Sequence, residues 1–378
     1  MRVETLVKSF FLLPPVPLLG GVRGGFCLLL KATVNFTSPL ATMPLRPYLS
    51  IVYNTTNLDI SGFIRSFVLD ISITQKLTDS ATSLAVKIRD DEMKFQQDPT
   101  FNGIGDSIDI ELFYENSEND RKLSPGRFYL DRLELSSPPD VINLQAVNRP
   151  LNKSLRTKKT RTFSNTNLAG IVSAIAIEHN LGLSGIRETV NFSNWEQKDK
   201  SDLTFLMDLA KDFDHVFNFD SQGRIFFQSW ESIDNANTVR TFDKENILDK
   251  PKLRFTQSDS GTYRTFDAPY GTEDQTAALI DNFVFSTDRL RGSLNYETYE
   301  QARLGARALW RRSNGSSRLV EFTVEGDGLI KLGDNFRLNG YGTFSGRYQI
   351  QKLRNSLTND GWRTEIKGRS LYEESPDI

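Results

Sequence analysis

Cysteine is almost absent from this chain. One residue, Cys27, stands alone among 378, so neither an internal disulfide framework nor a cysteine-based zinc site can form. Histidine is nearly as scarce. With only His179 and His215, a histidine-rich metal centre is excluded without several carboxylates, and general acid–base chemistry has few candidates. A dominant charge is lacking too: 46 basic residues against 48 acidic ones leave a net charge of −2. No overall field draws the protein to nucleic acid or to a membrane, and any such attraction must be local. Long apolar runs are missing as well. Phe10-Phe11-Leu12-Leu13 is cut off by Pro14, Pro15 and Pro17, too short and too broken to span a bilayer.

What is plentiful is aromatic material. The chain carries 26 Phe and is 11% aromatic, which suits β cores or subunit interfaces rather than disorder. Its length allows two or three domains, each with its own core. Residues 1–43 do not resemble the rest. A basic start and an apolar stretch suggest a signal peptide, but the prolines and the lack of a small-x-small cleavage site argue against one. The expectation is a disordered or mis-annotated extension, with translation starting at Met43.

One pattern is written twice. Gly105-Asp106-Ser107-Ile108-Asp109-Ile110 is followed by Gly126-Arg127-Phe128-Tyr129-Leu130-Asp131-Arg132-Leu133. More than two hundred residues on, Gly333-Asp334-Asn335-Phe336-Arg337-Leu338 is followed by Gly346-Arg347-Tyr348-Gln349-Ile350-Gln351-Lys352-Leu353. Gly-Asp is a turn signal, because Gly supplies positive φ and Asp bonds its own backbone. Alternating apolar residues mark half-buried strands. A repeated pair of strands points to a duplicated β domain. The alternation puts Gln349 on the solvent face, and positive φ is expected at Gly126 and Gly346.

Between and around the copies the period changes. From Phe63 to Val147 strands prevail, with apolar alternation at Phe67/Leu69/Ile71/Ile73, Leu84/Val86/Ile88, Ile108/Ile110/Leu112, Phe128/Leu130 and Ile142/Leu144/Ala146. At 168–179, Leu168, Ile171, Val172, Ile175 and His179 form one helical stripe, with Asn165 to Asn167 available as cap. A second short helix covers Ser201 to Lys211. It leads into a hairpin, Val216 to Phe219 and Arg224 to Phe227, turned at Asp220 to Gly223. Strands resume after Pro251, and a third helix near Glu297 to Arg312 carries Tyr299, Ala302, Ala306, Leu309 and Trp310 on one side. The predicted fold is α+β and mainly β. Residues 44–150 form a first small antiparallel barrel, 151–250 an α/β insert, and 251–378 a second barrel with one long helix.

Catalytic constellations are thin. Asp90-Asp91-Glu92 follows a strand directly and reads as a solvated turn. Gly340 to Gly346 resembles the Gly-rich loop over ATP in kinases only faintly, with the spacing off by one, and reads as a hairpin tip. His179 at a helix end and His215 at a helix-to-strand turn read as satisfied structural histidines. The one dense positive patch, Lys153, Arg156, Lys158, Lys159 and Arg161, is a candidate contact for a polyanion or an acidic partner, although most such runs are solvated loops.

The stretch Ser201 to Phe213, with Asp202, Phe205, Leu206, Leu209 and Ala210, resembles the D-x-x-F-L-x-x-L-A helix of phage late-control protein D and of the hub part of VgrG proteins. The hairpin after it falls where that family has short aromatic strands. Leu332-Gly333-Asp334, Leu338-x-Gly340-x-Gly342, Ser345-Gly346-x-Tyr348-x-Ile350 and Gly361-Trp362-x-Thr364 are similar to its last barrel. The resemblance runs from about Pro44 to Leu371. Two departures stand out: Leu353-Arg354-Asn355-Ser356 replaces a region where members often carry a His, and no spike of repeating strands follows before Ile378.

The resemblance implies a non-enzymatic baseplate hub without its spike, needing no cofactor. Three copies would adapt a six-fold tail tube to a three-fold spike. The implied partners are further copies of itself, the tube protein and the spike protein, with the tape-measure protein as a further contact. Membrane contact is not implied, and nucleic acid contact is at most transient. Such a protein is made in the bacterial cytoplasm and resides in the baseplate of a virion or injection particle. Alternatives from other classes are a tail-associated cell-wall hydrolase, which needs two carboxylates facing one groove, and a secreted adhesin or effector, which needs a working export signal.

Overall fold

The computed structural model describes residues 46–53, 58–59, 67–78, 81–97, 106–115, 121–148, 153–185, 187, 189–248, 253–258, 262–272 and 275–371. Cys27, Met43 and the extension at 1–43, Gly105 and the turn at 116–120 lie outside them.

The first β unit consists of β1 (Arg46–Tyr53), β2 (Leu58–Asp59), β3 (Val68–Lys76), β4 (Thr82–Arg89), β5 (Ser107–Glu115), β6 (Arg127–Ser136) and β7 (Val141–Asn148). They are antiparallel neighbours in the order β3-β4-β7-β6-β5-β1-β2. Alternation is strict in β4, where Leu84, Val86 and Ile88 are buried between exposed neighbours, as period two demands. These residues join Ile71, Ile73, Ile108, Ile110, Phe128, Ile142 and Leu144 in one core. Two features differ from the sequence reading. Strand β1 was not foreseen, yet it pairs along its whole length with β5 and contributes Leu49 and Ile51 to the core. Leu69 is exposed rather than inward, because the β3–β4 register shifts between Val68 and Asp70 and the bulge turns it out. Asp90 is a third correction. It is buried, and its carboxylate accepts from Phe95 N at 3.0 Å and Gln96 N at 3.1 Å, capping the short helix α1 (Lys94–Gln97).

The middle segment follows the predicted change of period. A 3-10 turn at Lys153–Arg156 leads to β8 (Lys158–Asn167), α2 (Leu168–Glu178), β9 (Leu183–Ser184), β10 (Asn191–Ser201), α3 (Asp202–Asp212), β11 (His215–Phe219), β12 (Ile225–Ser229) and α4 (Trp230–Asp234). Asn167 caps α2 by accepting from Gly170 N, and Ser201 caps α3 by accepting from Thr204 N. The α2 stripe and the α3 residues Phe205, Leu206, Leu209 and Ala210 meet in a single core with Phe213 and Phe227.

The last stretch holds β13 (Thr238–Phe242), β14 (Arg254–Gln257), β15 (Thr265–Tyr270), β16 (Gln275–Ile280), β17 (Arg289–Arg291), α5 (Tyr299–Ser313), β18 (Arg318–Glu325), β19 (Asn335–Leu338), β20 (Gly346–Thr358) and β21 (Gly361–Ser370). On α5, Ala302, Ala306 and Trp310 are buried but Tyr299 is exposed, since the apolar stripe begins one turn later. This helix and the β15–β16 pair share the core of the middle segment, with Tyr296 Oη donating to Asp212 O at 3.0 Å. Strands β14-β18-β21-β20 continue straight into β3 of the first unit, giving one thirteen-stranded sheet from which β19 and β13 branch. The fold is mainly β, as expected. Among the described residues β14 and β2 are the ends of that sheet, and no ring of strands closes.

Candidate functional site

The duplicated pattern folds in duplicate. Ser107 opposes Tyr129, Ile108 opposes Phe128 and Asp109 opposes Arg127. In the second copy Asn335 opposes Gln349, Phe336 opposes Tyr348 and Arg337 opposes Arg347, the same register residue for residue. The Asp106 carbonyl accepts from Leu130 N at 2.8 Å, and the Asp334 carbonyl accepts from Ile350 N at 3.0 Å. Even the irregularity is repeated, with register shifts between Leu130 and Arg132 and between Ile350 and Lys352. The bulge thus falls at the same place in both copies. Phe128 and Tyr348 are both fully buried. Gly126 (φ +93°), Gly333 (φ +81°) and Gly346 (φ +150°) take the positive φ that the turns require.

The middle segment touches the two copies differently. At the first, the carbonyl of Ser221, in the β11–β12 turn, would lie 2.0 Å from a Cβ on Gly126, so only glycine fits there. A cavity of about 560 Å3 opens beside this contact, lined by residues such as Asp109, Arg127, Tyr129 and Gln222. Arg127 itself is exposed and pairs with Asp109 at 3.2 Å.

At the second copy the contact is ionic. Asp234, the last residue of α4, pairs with Arg369 and accepts from Gln349 Nε2 at 3.2 Å. Arg311 bridges Asp234 at 2.8 Å and the fully buried Asp214 at 2.6 Å. Arg311 and Arg369 lie over the Trp230 ring at 4.8 and 5.0 Å. Asn335 Nδ2 donates to the carbonyls of Ile233, Asp234 and Ala236, and Arg347 donates to that of Ala236 at 3.3 Å. Gln349 is therefore buried, not solvent-facing: the segment that covers it lies more than a hundred residues upstream, beyond the reach of strand periodicity. A cavity of about 490 Å3 borders this network between Lys211, His215, Trp230, Arg312 and Gln351. Burial alone would raise the Asp214 carboxyl, but Arg311 and Arg307 hold it below its ordinary range. Burial pushes His215 down to about 4, although its Nδ1 donates to Phe213 O at 2.5 Å.

The basic run and the helix motif, separate in sequence, come together. Asp202 is fully buried at the start of α3 and accepts from Lys159 Nζ and Arg161 Nη2 at 2.6 Å, Gln197 Nε2 at 2.8 Å and His179 Nε2 at 2.7 Å. Glu178 takes the other sides of Lys159 (2.5 Å) and Arg161 (2.6 Å). Burial would raise the Asp202 carboxyl; the bonds from Lys159, His179 and Gln197 and the charge of Arg161 more than offset it and hold it low. Lys158 pairs with Asp199 at the surface, and Arg156 is exposed on the 3-10 turn that also includes Lys153. Two of the five cations thus have buried or half-buried internal partners. Glu178 and Gln197 were not singled out from sequence, since nothing local marks a charge whose partner is on another element.

The same cluster contains a Ser-His-Asp line, with Ser154 Oγ 2.8 Å from His179 Nδ1. Its carboxylate is already held by two cations, and the cavities described above lie elsewhere. Glu178, His179 and Asp202 also bring three ligand atoms within 4.8 Å of one another, but Lys159 and Arg161 occupy those carboxylates and oppose a metal cation. The arrangement ties β8, α2, β10 and α3 together.

No family model matches the chain, and no curated protein matches it. Solved structures do. The fold is similar to that of the prophage MuSo2 43 kDa tail protein from Shewanella oneidensis (TM-score 0.63, 14% identity), covering 86% of this chain and 97% of that one. A tail protein from Neisseria meningitidis MC58 gives a TM-score of 0.64 at 9% identity, over 86% and 96% of the two chains. The E. coli c3393 protein, a component of the type VI secretion system, gives 0.53 at 13% identity over 82% and 76%. The chain has the fold of these tail and secretion-system proteins.

Proposed function

We propose that this chain is a structural baseplate hub of a contractile phage-type tail, a homotrimer that adapts a six-fold tail tube to a three-fold spike. The observation that carries this reading is the duplication: two β units with the same register, the same Asp carbonyl bond and the same bulge. Two equivalent units per chain, arranged about a three-fold axis, present six quasi-equivalent units, which meets both symmetries at once. The similarity over nearly the whole length of a prophage tail protein supports the placement in a tail. On this reading the β units are the two barrels, their walls completed by ring neighbours, and the middle segment is the clamp between them. Tube, spike and tape-measure proteins are its partners, and the work is done by interfaces rather than by a pocket.

The test is assembly state. Native mass spectrometry of the purified chain, at high concentration and with the cognate spike protein, should give trimers. A stable dimer, or a 1:1 complex of single chains, overturns the hub reading.

A further inference from the structure

The two copies differ in one consequential way, on the strand just past the shared bulge. In the second copy the outer edge of β20 is covered by β3 of the first unit. Lys352 opposes Lys76, Arg354 opposes Thr74, Asn355 opposes Ile73 and Ser356 opposes Ser72. In the first copy the equivalent stretch of β6, Arg132 to Ser136, pairs with β7 on one side only, because β5 leaves β6 at Tyr129. Among the described residues no strand lies on its other edge. Burial records the difference. Leu353 and Asn355 are 0% and 1% exposed, whereas their counterparts Leu133 and Leu135 are 36% and 50% exposed. These leucines stand on the core face, opposite the buried Leu144 and Ile142.

A matching vacancy exists at the far end of the sheet. Strand β14 holds in the second unit the place that β3 holds in the first. Phe255 pairs with Val320 as Ile73 pairs with Leu84, and both of those partners face equivalent residues, Gly368 and Ala146. Yet Ile73 is fully buried and Phe255 only partly. The outer edge of β14 has no neighbouring strand among the described residues. Unpaired strand edges of this kind are templates for pairing with another chain.

We propose that the β6 edge of one chain pairs with the β14 edge of a second copy, antiparallel and in the register of the internal β20–β3 junction. This inference rests on the hub reading and deepens it. It sets Leu135 against Phe255, Glu134 against Thr256 and Leu133 against Gln257 of the neighbour. The internal junction has Arg354 donating to Ser72 across the diagonal at 2.9 Å; the equivalent diagonal between chains joins Glu134 to Arg254, two opposite charges. The contact is heterologous, one edge to a different edge, so it builds a ring when the rotation closes. Internal and external junctions then alternate around the ring, and each unit meets its neighbours in the same way.

Cysteine pairing tests this directly, because Cys27 is the only native cysteine. In a Cys27→Ser background, Glu134→Cys and Thr256→Cys replace two exposed residues that the register places opposite each other. Directly opposed antiparallel residues have a Cα separation suited to a disulfide. Oxidation of the full-length double variant should give a reducible ladder ending at three chains, and each single variant should give none. Separately, Glu134→Arg and Arg254→Glu should each weaken trimer association about tenfold or more, and the combined swap should restore it. Trimers in native mass spectra without cross-links, an intrachain disulfide, or a swap that fails to restore association overturns the edge assignment and leaves the hub reading standing. Absence of both trimers and cross-links at high concentration overturns both.

Discussion

Over the first copy of the strand pair the middle segment sets a carbonyl, and over the second it sets charge. The Ser221 oxygen rests where a Cβ of Gly126 would be, a contact made by shape and indifferent to pH. At the second copy Asp234, Arg369, Arg311 and Asp214 do the joining, helped by the three carbonyls bound to Asn335. Position 335 corresponds to Ser107 in the first copy, where the shorter side chain carries no amide to reach three carbonyls. A duplicated β unit can therefore keep its backbone while its two copies acquire different locks. The steric lock tolerates no added atom; the ionic lock tolerates small shifts but no lost partner.

The sharpest way to break the comparison is Gly126→Val. The new side chain has to displace the Ser221 carbonyl and also adopt φ near +93°. Backbone strain and overpacking together are expected to cost on the order of 5 kcal/mol, enough to leave little soluble protein. Thermal melting of whatever remains soluble is the measure, and a drop of only a few degrees would contradict the close approach.

Next in size is Arg311→Met. It keeps the apolar stem over Trp230 and removes the guanidinium, leaving Asp214 fully buried with Arg307, at 3.4 Å, as its remaining cation. Breaking a buried pair from one side costs about 3–5 kcal/mol. Denaturant unfolding should show that loss, and hydrogen exchange should place the new opening at β20 and β21 rather than at β5 and β6. Equal opening of both copies would mean that the ionic lock does not belong to the second one.

Much of this was legible in the sequence, and the boundary has a physical reason. Helices α2 and α3, the cap of α2 at Asn167 and the β11–β12 hairpin obey local rules of period and capping, and the repeat discloses the paired strands. Strand β1 escapes the sequence reading because Tyr48 and Val52, on the face opposite the buried Leu49 and Ile51, blur its alternation. Leu69 and Gln349 were placed on the wrong faces, the first by a bulge and the second by a cover distant in sequence. The ionic lock was invisible for the same reason: Asp214, Asp234, Arg311 and Arg369 belong to four separated segments. Family-like residues at Asp202 were read as a helix motif, but only folding shows that this carboxylate neutralises part of the basic run.

Acid should separate the two locks. His215 borders the ionic side, and its folded value is pushed down to about 4 from an ordinary 6.5. Between those values the unfolded chain takes up a proton that the folded chain refuses. Stability is therefore complete above pH 6.5, falls as the pH drops toward 4, and loses nothing more from this group below that. The full loss is about 3 kcal/mol. Unfolding measured across this window should slope downward with falling pH, and His215→Gln should flatten the slope whatever it does to absolute stability. An unchanged slope would place the titrating group elsewhere.

The smallest expected effect completes the contrast. Gly346 corresponds to Gly126, yet a Cβ on it meets nothing within 4 Å, so Gly346→Val tests backbone strain without steric conflict. Its φ of +150° lies where side-chain-bearing residues are rare, and strain of about 1–3 kcal/mol is expected. Gln349 cannot serve as the reference, being buried against Asp234 and Arg369. Gln145→Val is a better one, since Gln145 is exposed on β7 and β-branched residues suit strand positions. Melting temperatures should therefore fall in the order Gln145→Val, Gly346→Val, Gly126→Val, the last by far the lowest. If the two glycine variants melt together, the steric difference between the copies is not real. If Gly346→Val melts with Gln145→Val, the second turn relaxes to another backbone shape, and the match between the copies stops at their strands.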